Sequence, residues 1–397
     1  MRKEKKIRHL TTIGLIIYFF MLPFEYPLSS LGSSSILRYA GMIVILLAII
    51  DMFKYNKIGI DYRTSFLLGW LIYGAITLLW VKDIDMFIRY YSIYMRNTIM
   101  FLAITQIKFT LYESEIIKKS VVYSLAVFLI YIFVFPDAII IDPFQSRMLL
   151  KAGNSFMDPN YISAIILIPY VFVFYKLIND RDKLMTSSVS ILFCTTCLVV
   201  ILLTGSRSGF IALGVVTLLC LNLSRKKNII FILFFLLLLL LILPLIIDYL
   251  PSNLLARFSL EALTGQTDES GSRLVLWSIA IQQLRNFSWL FGYGIGSSEM
   301  VIGSSYHMNA AIHNHYLAQL IEIGIIGLAL NAIWIIKMFK ELYKKQRKSV
   351  LYAGIGIMIS SIFLDVLTTK FYWEIMMLLS IEISSCRKQE SSCKIKE

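Results

Sequence analysis

The sequence has few charged residues for its length. Of its 397 residues, 16% are Asp, Glu, Lys or Arg, whereas 58% are hydrophobic. A soluble chain of this length would need a far larger polar share to cover one or two cores. The composition therefore excludes an ordinary soluble globular protein and indicates insertion into a membrane.

Cysteine is also scarce, with five residues in the chain. The two long polar segments, 137–158 and 249–313, contain none, so no disulfide links their residues. Cys194 and Cys197 form a Cys-x-x-Cys pair inside an apolar stretch, where packing explains them better than redox chemistry. The sequence therefore indicates neither a disulfide scaffold nor a thiol-redox enzyme.

The apolar residues occur in blocks of about twenty, a length that crosses roughly 30 Å of hydrocarbon. In lipid such blocks must be helical, because unpaired backbone groups have no water to bind. Pro23 and Glu25 favour a retained first span over a cleaved signal peptide. We predict an all-α, polytopic membrane protein in which residues 1–397 form a single domain. The twelve predicted spans are 11–31, 36–53, 64–81, 91–107, 117–136, 159–178, 187–204, 208–223, 228–248, 314–336, 349–367 and 371–384.

The net charge of +13 is explained by topology. If the N-terminus is cytoplasmic, 27 of the 38 Lys and Arg residues lie in segments on the inner side. The positive-inside rule then predicts that both termini are cytoplasmic and that 137–158 and 249–313 lie outside. The basic composition is therefore no sign of nucleic-acid binding.

The outer segment 249–313 is the longest polar region of the chain. Leu274, Trp277, Ile281 and Leu284 have helical spacing within it. This stripe predicts a helix that lies on the membrane surface or packs against the bundle. A glycine run follows at 292–296, but no strand precedes it, so it predicts a flexible turn rather than a dinucleotide site.

Two arginines have surroundings that suit an anion. Arg207 lies in the short connection 205–209, flanked by serines and glycines, and is either an anion ligand or a snorkelling side chain. The large segment contains Arg257, Arg273 and Arg285. Arg273 lies in the first turn of the predicted helix, where a helix N-terminus and a guanidinium together favour phosphate.

Three of the four histidines, His307, His313 and His315, lie at the end of the same segment. A metal site is disfavoured, because residues two apart on a helix point in different directions and carboxylates are few nearby. A general base is the second reading, since nearby arginines would keep a histidine neutral. The third is interfacial histidines without a catalytic task.

Polar residues continue into the tenth predicted span. His315, Gln319 and Glu322 follow one another at helical spacing on an otherwise apolar helix. A carboxylate at this depth is costly and faces a cavity or a partner. Arg96, in the fourth span, is a candidate counter-ion for Glu322.

Four segments in order resemble the O-antigen polymerase and O-antigen ligase superfamily, which consists of polytopic glycosyltransferases. Together with the predicted spans and large outer loop, the likeness extends over most of the chain. The segments are Phe156-Met157-Asp158-Pro159-Asn160, Leu203-Thr204-Gly205-Ser206-Arg207-Ser208, Ser272-Arg273 with Trp277 and Phe291-Gly292-Tyr293-Gly294-Ile295-Gly296, and His313-Asn314-His315-Tyr316-Leu317 through Glu322, Gly324 and Gly327.

The resemblance implies a reaction and a set of roles. Its members transfer an oligosaccharide from a polyprenyl diphosphate lipid to an acceptor hydroxyl, without a metal or other cofactor. Arg207 and Arg273 would bind the diphosphate, and His313 would take the acceptor proton. His315 occupies a position that the family varies. The residues expected to support or orient the site are Asn314, His315, Glu322 and, outside the motifs, Arg96.

The resemblance also implies a location and partners. The fold would be like that of type C glycosyltransferases, in the bacterial cytoplasmic membrane, with the active site on the outer face. The donor would be an undecaprenyl-diphosphate-linked oligosaccharide and the acceptor a glycan or a lipid-linked glycan. Membrane lipids, a flippase and a chain-length regulator are further expected partners.

Three functions remain open. The first is a polymerase that joins repeat units into a capsule, exopolysaccharide or O-antigen. The second is a ligase that transfers a finished glycan to a lipid A core or another acceptor. The third is a flippase or transporter for the same lipids, which would need a charged path through the bundle.

Overall fold

The computed structural model describes residues 6–25, 27, 36–55, 59–135, 139–141, 147–152, 155–179, 184–221, 268–285, 287–306 and 311–393. Fourteen α-helices and three strands lie within these ranges. The predicted ninth span at 228–248, together with Arg257 and His307, lies outside the described residues. The helices are α1 (Leu10–Met21), α2 (Ile36–Tyr55), α3 (Tyr62–Ile76), α4 (Ile84–Thr105), α5 (Leu111–Val134), α6 (Pro159–Asn179), α7 (Leu184–Leu203), α8 (Arg207–Cys220), α9 (Asp268–Gln283), α10 (Ser288–Phe291), α11 (Ser298–Tyr306), α12 (His315–Lys344), α13 (Lys348–Ser360) and α14 (Lys370–Cys393).

Several helices are long and apolar enough to cross a membrane. Among the described residues five satisfy both criteria: Ile36–Tyr55, Tyr62–Leu79, Leu111–Val134, Pro159–Asn179 and His315–Lys344. Shorter apolar helices accompany them, including Arg207–Cys220 and Lys348–Ser360. The chain is therefore a mostly helical, polytopic membrane protein, while the count of twelve spans stays a prediction.

The last predicted span, α14, lies in the middle of the bundle. Residues 371–385 are buried without a break, although Glu374 and Glu382 interrupt their apolar sequence. Glu382 accepts a hydrogen bond of 2.7 Å from Ser114 and pairs with Lys118 at 2.7 Å. The carboxylate of Glu382 is thus matched by protein groups, which is how a charged residue is tolerated at a buried position.

A small sheet corrects the prediction of an all-α protein. Within the outer segment 137–158, strands β1 (Ile139–Ile141), β2 (Met148–Ala152) and β3 (Ser155–Met157) form an antiparallel meander. These short runs carry β-branched and long apolar residues that suit a pleated surface. Strands of three to five residues are too short for their alternation of apolar and polar residues to be distinguished from the apolar spans. Hydrophobic periodicity therefore did not predict them.

Candidate active site at the ends of the helices

The connection between α7 and α8 holds Arg207 on an ordered turn. Gly205 has a φ of +59°, a left-handed conformation that glycine adopts without strain. Ser206 caps α8, because its Oγ accepts a hydrogen bond of 3.1 Å from the amide of Gly209. Arg207 is therefore the first residue of a capped helix, where its half-buried side chain starts from a well-determined backbone position.

Asn160, in the first turn of α6, joins this turn to the preceding outer segment. Its Oδ1 accepts hydrogen bonds from Ser206 Oγ at 2.7 Å and from Arg147 Nη2 at 3.3 Å. Nε of Arg147 donates to the carbonyl oxygen of Thr204 at 3.0 Å. The Asn160 amide in turn donates to the carboxylate of Asp158 at 2.9 Å. Two of the motifs therefore meet in one hydrogen-bonded cluster.

Arg147 is a site residue that the sequence analysis did not single out. It is buried, and it binds the same turn that carries Arg207. The signal was present, because arginine is scarce on outer segments and 137–158 contains this one. The argument that drew attention to Arg207 applies equally to Arg147.

His313 precedes α12 and has an unusual backbone. Its φ is +50°, a left-handed value that is uncommon for a residue with a Cβ. Asn314 caps α12, its Oδ1 accepting hydrogen bonds from the amides of Tyr316 at 3.1 Å and Leu317 at 3.0 Å. Asn314 therefore supports this region as a helix cap. The cap determines where α12 begins, directly after the backbone of His313.

Charged side chains from four segments surround His313. Burial lowers the pKa of His313 below its ordinary value near 6.5, and the positive charge of Arg273 lowers it further. The carboxylates of Asp158, Asp365 and Glu299 act in the opposite direction. The net lowering keeps the imidazole neutral at pH 7, the state required of a base. Asp365 and Glu299, like Arg147, were missed by the sequence analysis, since neither lies in a motif with a recognisable spacing.

Arg273 comes from a helix that begins earlier than predicted. Helix α9 starts at Asp268, so Arg273 lies in its second turn and not in its first. The argument from a helix N-terminus therefore does not apply to Arg273, and its guanidinium alone remains to attract an anion. Arg273 is close enough to His313 for its charge to act on the imidazole, and its role in binding an anion stays a prediction.

The predicted stripe of α9 is half correct. Trp277 and Leu284 pack against a buried cluster, which also contains Leu276 from outside the stripe. Trp277 donates a hydrogen bond of 3.0 Å from Nε1 to the carbonyl oxygen of Ile312. Leu274 and Ile281, which the stripe assigned to the packed side, are exposed. The helix packs against the start of α12 with a face shifted from the predicted one.

His315 differs from His313 in being fully buried. Its Nε2 lies 2.6 Å from Nε2 of Gln319, one turn further along α12. Gln319 Oε1 accepts a hydrogen bond of 3.0 Å from Asn331. The opposite ring nitrogen, Nδ1, lies 3.7 Å from Oδ1 of Asp365. The side chain of His315 thus occupies the interior behind the cluster of charges.

Helix α12 is interrupted at Gly324, whose φ is +61°. Two carbonyl oxygens before this break accept hydrogen bonds from outside the helix. The amide of Tyr293 donates to Ile321 at 2.7 Å, and the amide of Gly294 donates to Glu322 at 2.9 Å. Part of the long segment before α12 is therefore inserted into the break of the helix.

The glycine run is a buried loop, which corrects the predicted flexible turn. Gly292, Gly294 and Gly296 are all buried and all have positive φ values. A Cβ on Gly292 would lie 2.4 Å from the carbonyl group of Glu322, so glycine is required for this close approach. The Glu322 side chain accepts a hydrogen bond of 2.8 Å from Ser298, which follows the run. Glu322 thus stabilises the inserted loop, in keeping with a supporting role.

Arg96 does not pair with Glu322. Its electrostatic partners are Arg38 and Glu25, at the side of the bundle formed by the first two helices. Tyr94, two residues earlier on α4, is the α4 side chain that hydrogen-bonds to Glu322, which also accepts from Ser298. Residues two apart on a helix point roughly 200° apart, so Arg96 faces away from Glu322. The predicted counter-ion role is therefore corrected.

A metal centre receives no support from the part of the chain that the structure describes. Within it, no group of three His, Cys, Asp or Glu side chains could hold a metal ion. His313 and His315 point into different surroundings, one among charges and one in the interior. His307, the third candidate ligand, lies outside the described residues.

The comparisons with known proteins agree with the motifs. A family model described as O-antigen ligase matches residues 191–332, a stretch that contains Arg207, Arg273 and His313. Arg147, Asp158 and the other site residues before 191 or after 332 lie outside the match. No curated protein matches the chain. The family match supports the resemblance to the O-antigen polymerase and ligase superfamily, whose members are glycosyltransferase-like membrane enzymes.

Proposed function

We propose that this protein transfers an oligosaccharide from a polyprenyl diphosphate to an acceptor hydroxyl, and that it acts as a polymerase of repeat units for a surface polysaccharide. One observation carries the proposal, which is the meeting of residues from distant segments. Arg273 and Asp158 both act on His313, and Asn160, beside Asp158, binds the turn of Arg207. The transfer needs a base and cationic groups for the diphosphate, which fits a histidine under the charge of Arg273 and a second arginine on a turn bonded to the same segment as Asp158.

The proposed reaction breaks one bond and forms one. The acceptor hydroxyl oxygen attacks the anomeric carbon of the donor glycan. The bond from that carbon to the phosphate oxygen breaks, and its electron pair leaves with the polyprenyl diphosphate. The acceptor proton passes to an imidazole nitrogen of His313, and the nearby carboxylates stabilise the imidazolium that forms. Arg207 and Arg273 stabilise the charge that develops on the diphosphate.

A ligase is the second candidate, because the matching family model is described as O-antigen ligase. Purified protein supplied with a defined polyprenyl-diphosphate oligosaccharide separates the two. A polymerase produces a ladder of products from this donor alone. A ligase produces one transfer, and only when a foreign acceptor such as a lipid A core is added. Absence of any transfer under both conditions would refute the proposal.

The proposal includes a membrane arrangement. Twelve spans, both termini in the cytoplasm and residues 249–313 outside would expose the site to lipid-linked glycans on the outer face, where flippase and chain-length regulator proteins would act with it. Labelling of a cysteine introduced at Gly265 in intact cells tests this. Labelling that requires permeabilised cells would overturn the arrangement and the mechanism together.

The proposed reaction uses no metal ion, because guanidinium groups take the place of a divalent cation at the diphosphate. Full activity is expected after exhaustive chelation, measured as product formed from the defined donor. Activity that is lost on chelation and restored by one specific metal would contradict this and revive the histidine site that includes His307.

A further inference from the structure

A string of polar side chains runs through the interior behind His313. Asn331, in the second half of α12, donates from Nδ2 to Oε1 of Gln319 at 3.0 Å. The side-chain amide of Gln319 then lies 2.6 Å from Nε2 of His315. All three side chains are buried. Buried polar groups of this kind are retained where they are hydrogen-bonded, and they then have little orientational freedom.

The direction of these bonds determines the tautomer of His315. Oε1 of Gln319 accepts the hydrogen bond from Asn331. The Nε2 amino group of Gln319 is therefore the one that faces His315, and it can only donate. Nε2 of His315 must then accept, so the proton of the neutral ring lies on Nδ1. If the side-chain amides of Gln319 and Asn331 were both reversed, Gln319 would accept from Nε2 of His315 and the Nδ1 atom of His315 would carry a lone pair. That lone pair would face the carboxylate of Asp365 at 3.7 Å, which is electrostatically unfavourable.

The segment that contains Asp365 is also hydrogen-bonded to the backbone of His315. The amide of His315 donates to the carbonyl oxygens of Ser361 at 3.0 Å and of Leu364 at 3.1 Å. Tyr161 of α6 donates a hydrogen bond of 3.4 Å to the carbonyl oxygen of Asp365. The Asp365 side chain is about one-third exposed, and its charge acts on His313. Asp365 thus approaches the end of the buried string, and its charge favours the protonated form of the proposed base.

We propose that Asn331, Gln319 and His315 form a hydrogen-bonded relay that holds the Asp365 carboxylate facing His313. The Nδ1–H group of His315 faces Asp365 across 3.7 Å, a distance at which the attraction is electrostatic and not a hydrogen bond, and the relay prevents the ring from turning or changing tautomer. Asp365 in turn favours the imidazolium that forms when His313 takes the acceptor proton. His315, Gln319 and Asn331 are therefore positioning residues, and the catalytic part of this inference rests on the proposed function.

The tautomer of His315 tests the relay without any assay of activity. The chain has four histidines, so ¹⁵N-histidine labelling of the full-length protein in detergent or nanodiscs gives few ring signals. The signal that disappears in His315→Asn identifies His315. We expect the Nδ1–H form in the wild type at neutral pH, and a shift to the Nε2–H form in Gln319→Glu, where a carboxylate would accept from Nε2. An Nε2–H ring in the wild type would overturn the relay.

Kinetics test the positioning role. In Gln319→Leu we expect kcat to fall by about 10-fold, a part of the 10²–10⁴ that a general base supplies, with KM for the donor within about 2-fold of the wild type. Thr98→Val is a matched control, because Thr98 is equally buried and its hydroxyl has no partner among the described residues. The same loss in Thr98→Val, or none in Gln319→Leu, would overturn the role in catalysis.

The two proposals can fail separately. A wild-type protein without any transfer activity would refute the proposed function, whereas the tautomer measurement would still decide whether the relay exists. If Gln319→Leu does not fold, Gln319→Glu preserves size and polarity and gives both readouts. A wild-type kcat in Gln319→Glu, with the tautomer shifted, would show that the ring orientation has no effect on turnover.

Discussion

The hydroxyl of Ser206 donates a hydrogen bond of 2.7 Å to Oδ1 of Asn160, across 46 residues of sequence. The same hydroxyl caps α8 by accepting from Gly209, so one side chain connects two helices. Through this bond the turn of Arg207 is held against α6. The position of Arg207 therefore depends on a residue in another motif.

Asn160→Ala should weaken donor binding. The change removes the acceptor of Ser206 and one acceptor of Arg147, so the turn of Arg207 gains freedom. We expect donor affinity to fall by about 10-fold, equivalent to about 1.4 kcal/mol. Binding of the lipid-linked donor to purified protein measures this. Ser120→Ala is the control, because its buried hydroxyl bonds to a carbonyl of its own helix. Equal donor affinity in Asn160→Ala and the wild type would show that the anchor is dispensable.

Gly324→Ala should destabilise the inserted loop. Gly324 has a φ of +61°, and an added Cβ would lie 2.2 Å from the carbonyl oxygen of Leu290. We expect the unfolding free energy to fall by about 1–3 kcal/mol or more, with a lower Tm in detergent and reduced activity. Gly214→Ala on α8 is the matched control, since a Cβ there meets no atom within 4 Å. Similar Tm values for the two variants would contradict the described break in α12.

Arg207 and His313 should differ in which kinetic step they affect. Arg207→Lys keeps the charge but loses the planar fork, so we expect weaker donor binding and turnover lower by about 10–100-fold, or 1.4–2.7 kcal/mol. His313→Ala should leave donor binding nearly intact and reduce turnover by about 10²–10⁴-fold. Donor binding and kcat are measured for each variant.

A different pattern would reassign the base. Normal turnover in His313→Ala would exclude His313 as the general base. If His313→Ala lost donor binding as completely as an Arg207 variant, His313 would be a donor-binding residue instead. His315 would be the next histidine to consider. Its burial and its bond to Gln319 argue against direct contact with substrate.

The rate should depend on pH through His313. Because its pKa is lowered, His313 is neutral at pH 7, and the rate should decline as the pH falls below 6.5 and through the lowered value. The groups that act on the ring are Arg273, which lowers its pKa, and Asp158, Asp365 and Glu299, which raise it. A pH–rate profile at saturating donor measures this acid limb, which is the decline of the rate toward low pH. The acid limb should be absent from the residual activity of His313→Ala.

Changing these neighbours should move the limb in opposite directions. Arg273→Gln removes a cause that lowers the pKa of His313, so the limb should move to higher pH. Asp365→Asn removes a cause that raises the pKa, so the limb should move to lower pH. Arg285→Gln is the control, because this arginine of the same loop is exposed and is not among the groups that shift the pKa of His313. A shift in the same direction for Arg273→Gln and Asp365→Asn would contradict the assignment of the limb to His313.

The helical membrane character and most helix positions could be predicted from the sequence, because each span is a local property of about twenty apolar residues in lipid. The motifs also singled out Arg207, Arg273 and His313, whose roles stay predictions. Their residue types carry the signal, since an arginine in a short connection between spans and histidines at the end of a long loop are uncommon in a chain of this composition.

Other features depend on contacts between distant segments. Arg147, Asp158 and Asp365 reach the site from three different places in the chain, and no local pattern relates them to His313. The loop at 292–296 has the composition of a free turn, yet its amides bind carbonyl groups that become available where α12 breaks at Gly324. A sequence pattern cannot show which carbonyl groups are left unpaired.

The sequence by itself determined that this chain enters a membrane as helices and that three of its four histidines lie within nine residues, at 307–315. Hydrophobic length and charge placement act locally along the chain, and so they are readable without a fold. The tertiary structure alone decided that His315 is buried behind Asp365, that Arg96 turns away from Glu322, and that Arg147 anchors the turn of Arg207. Burial and hydrogen-bond direction depend on which elements pack together, and that is settled when the helices assemble.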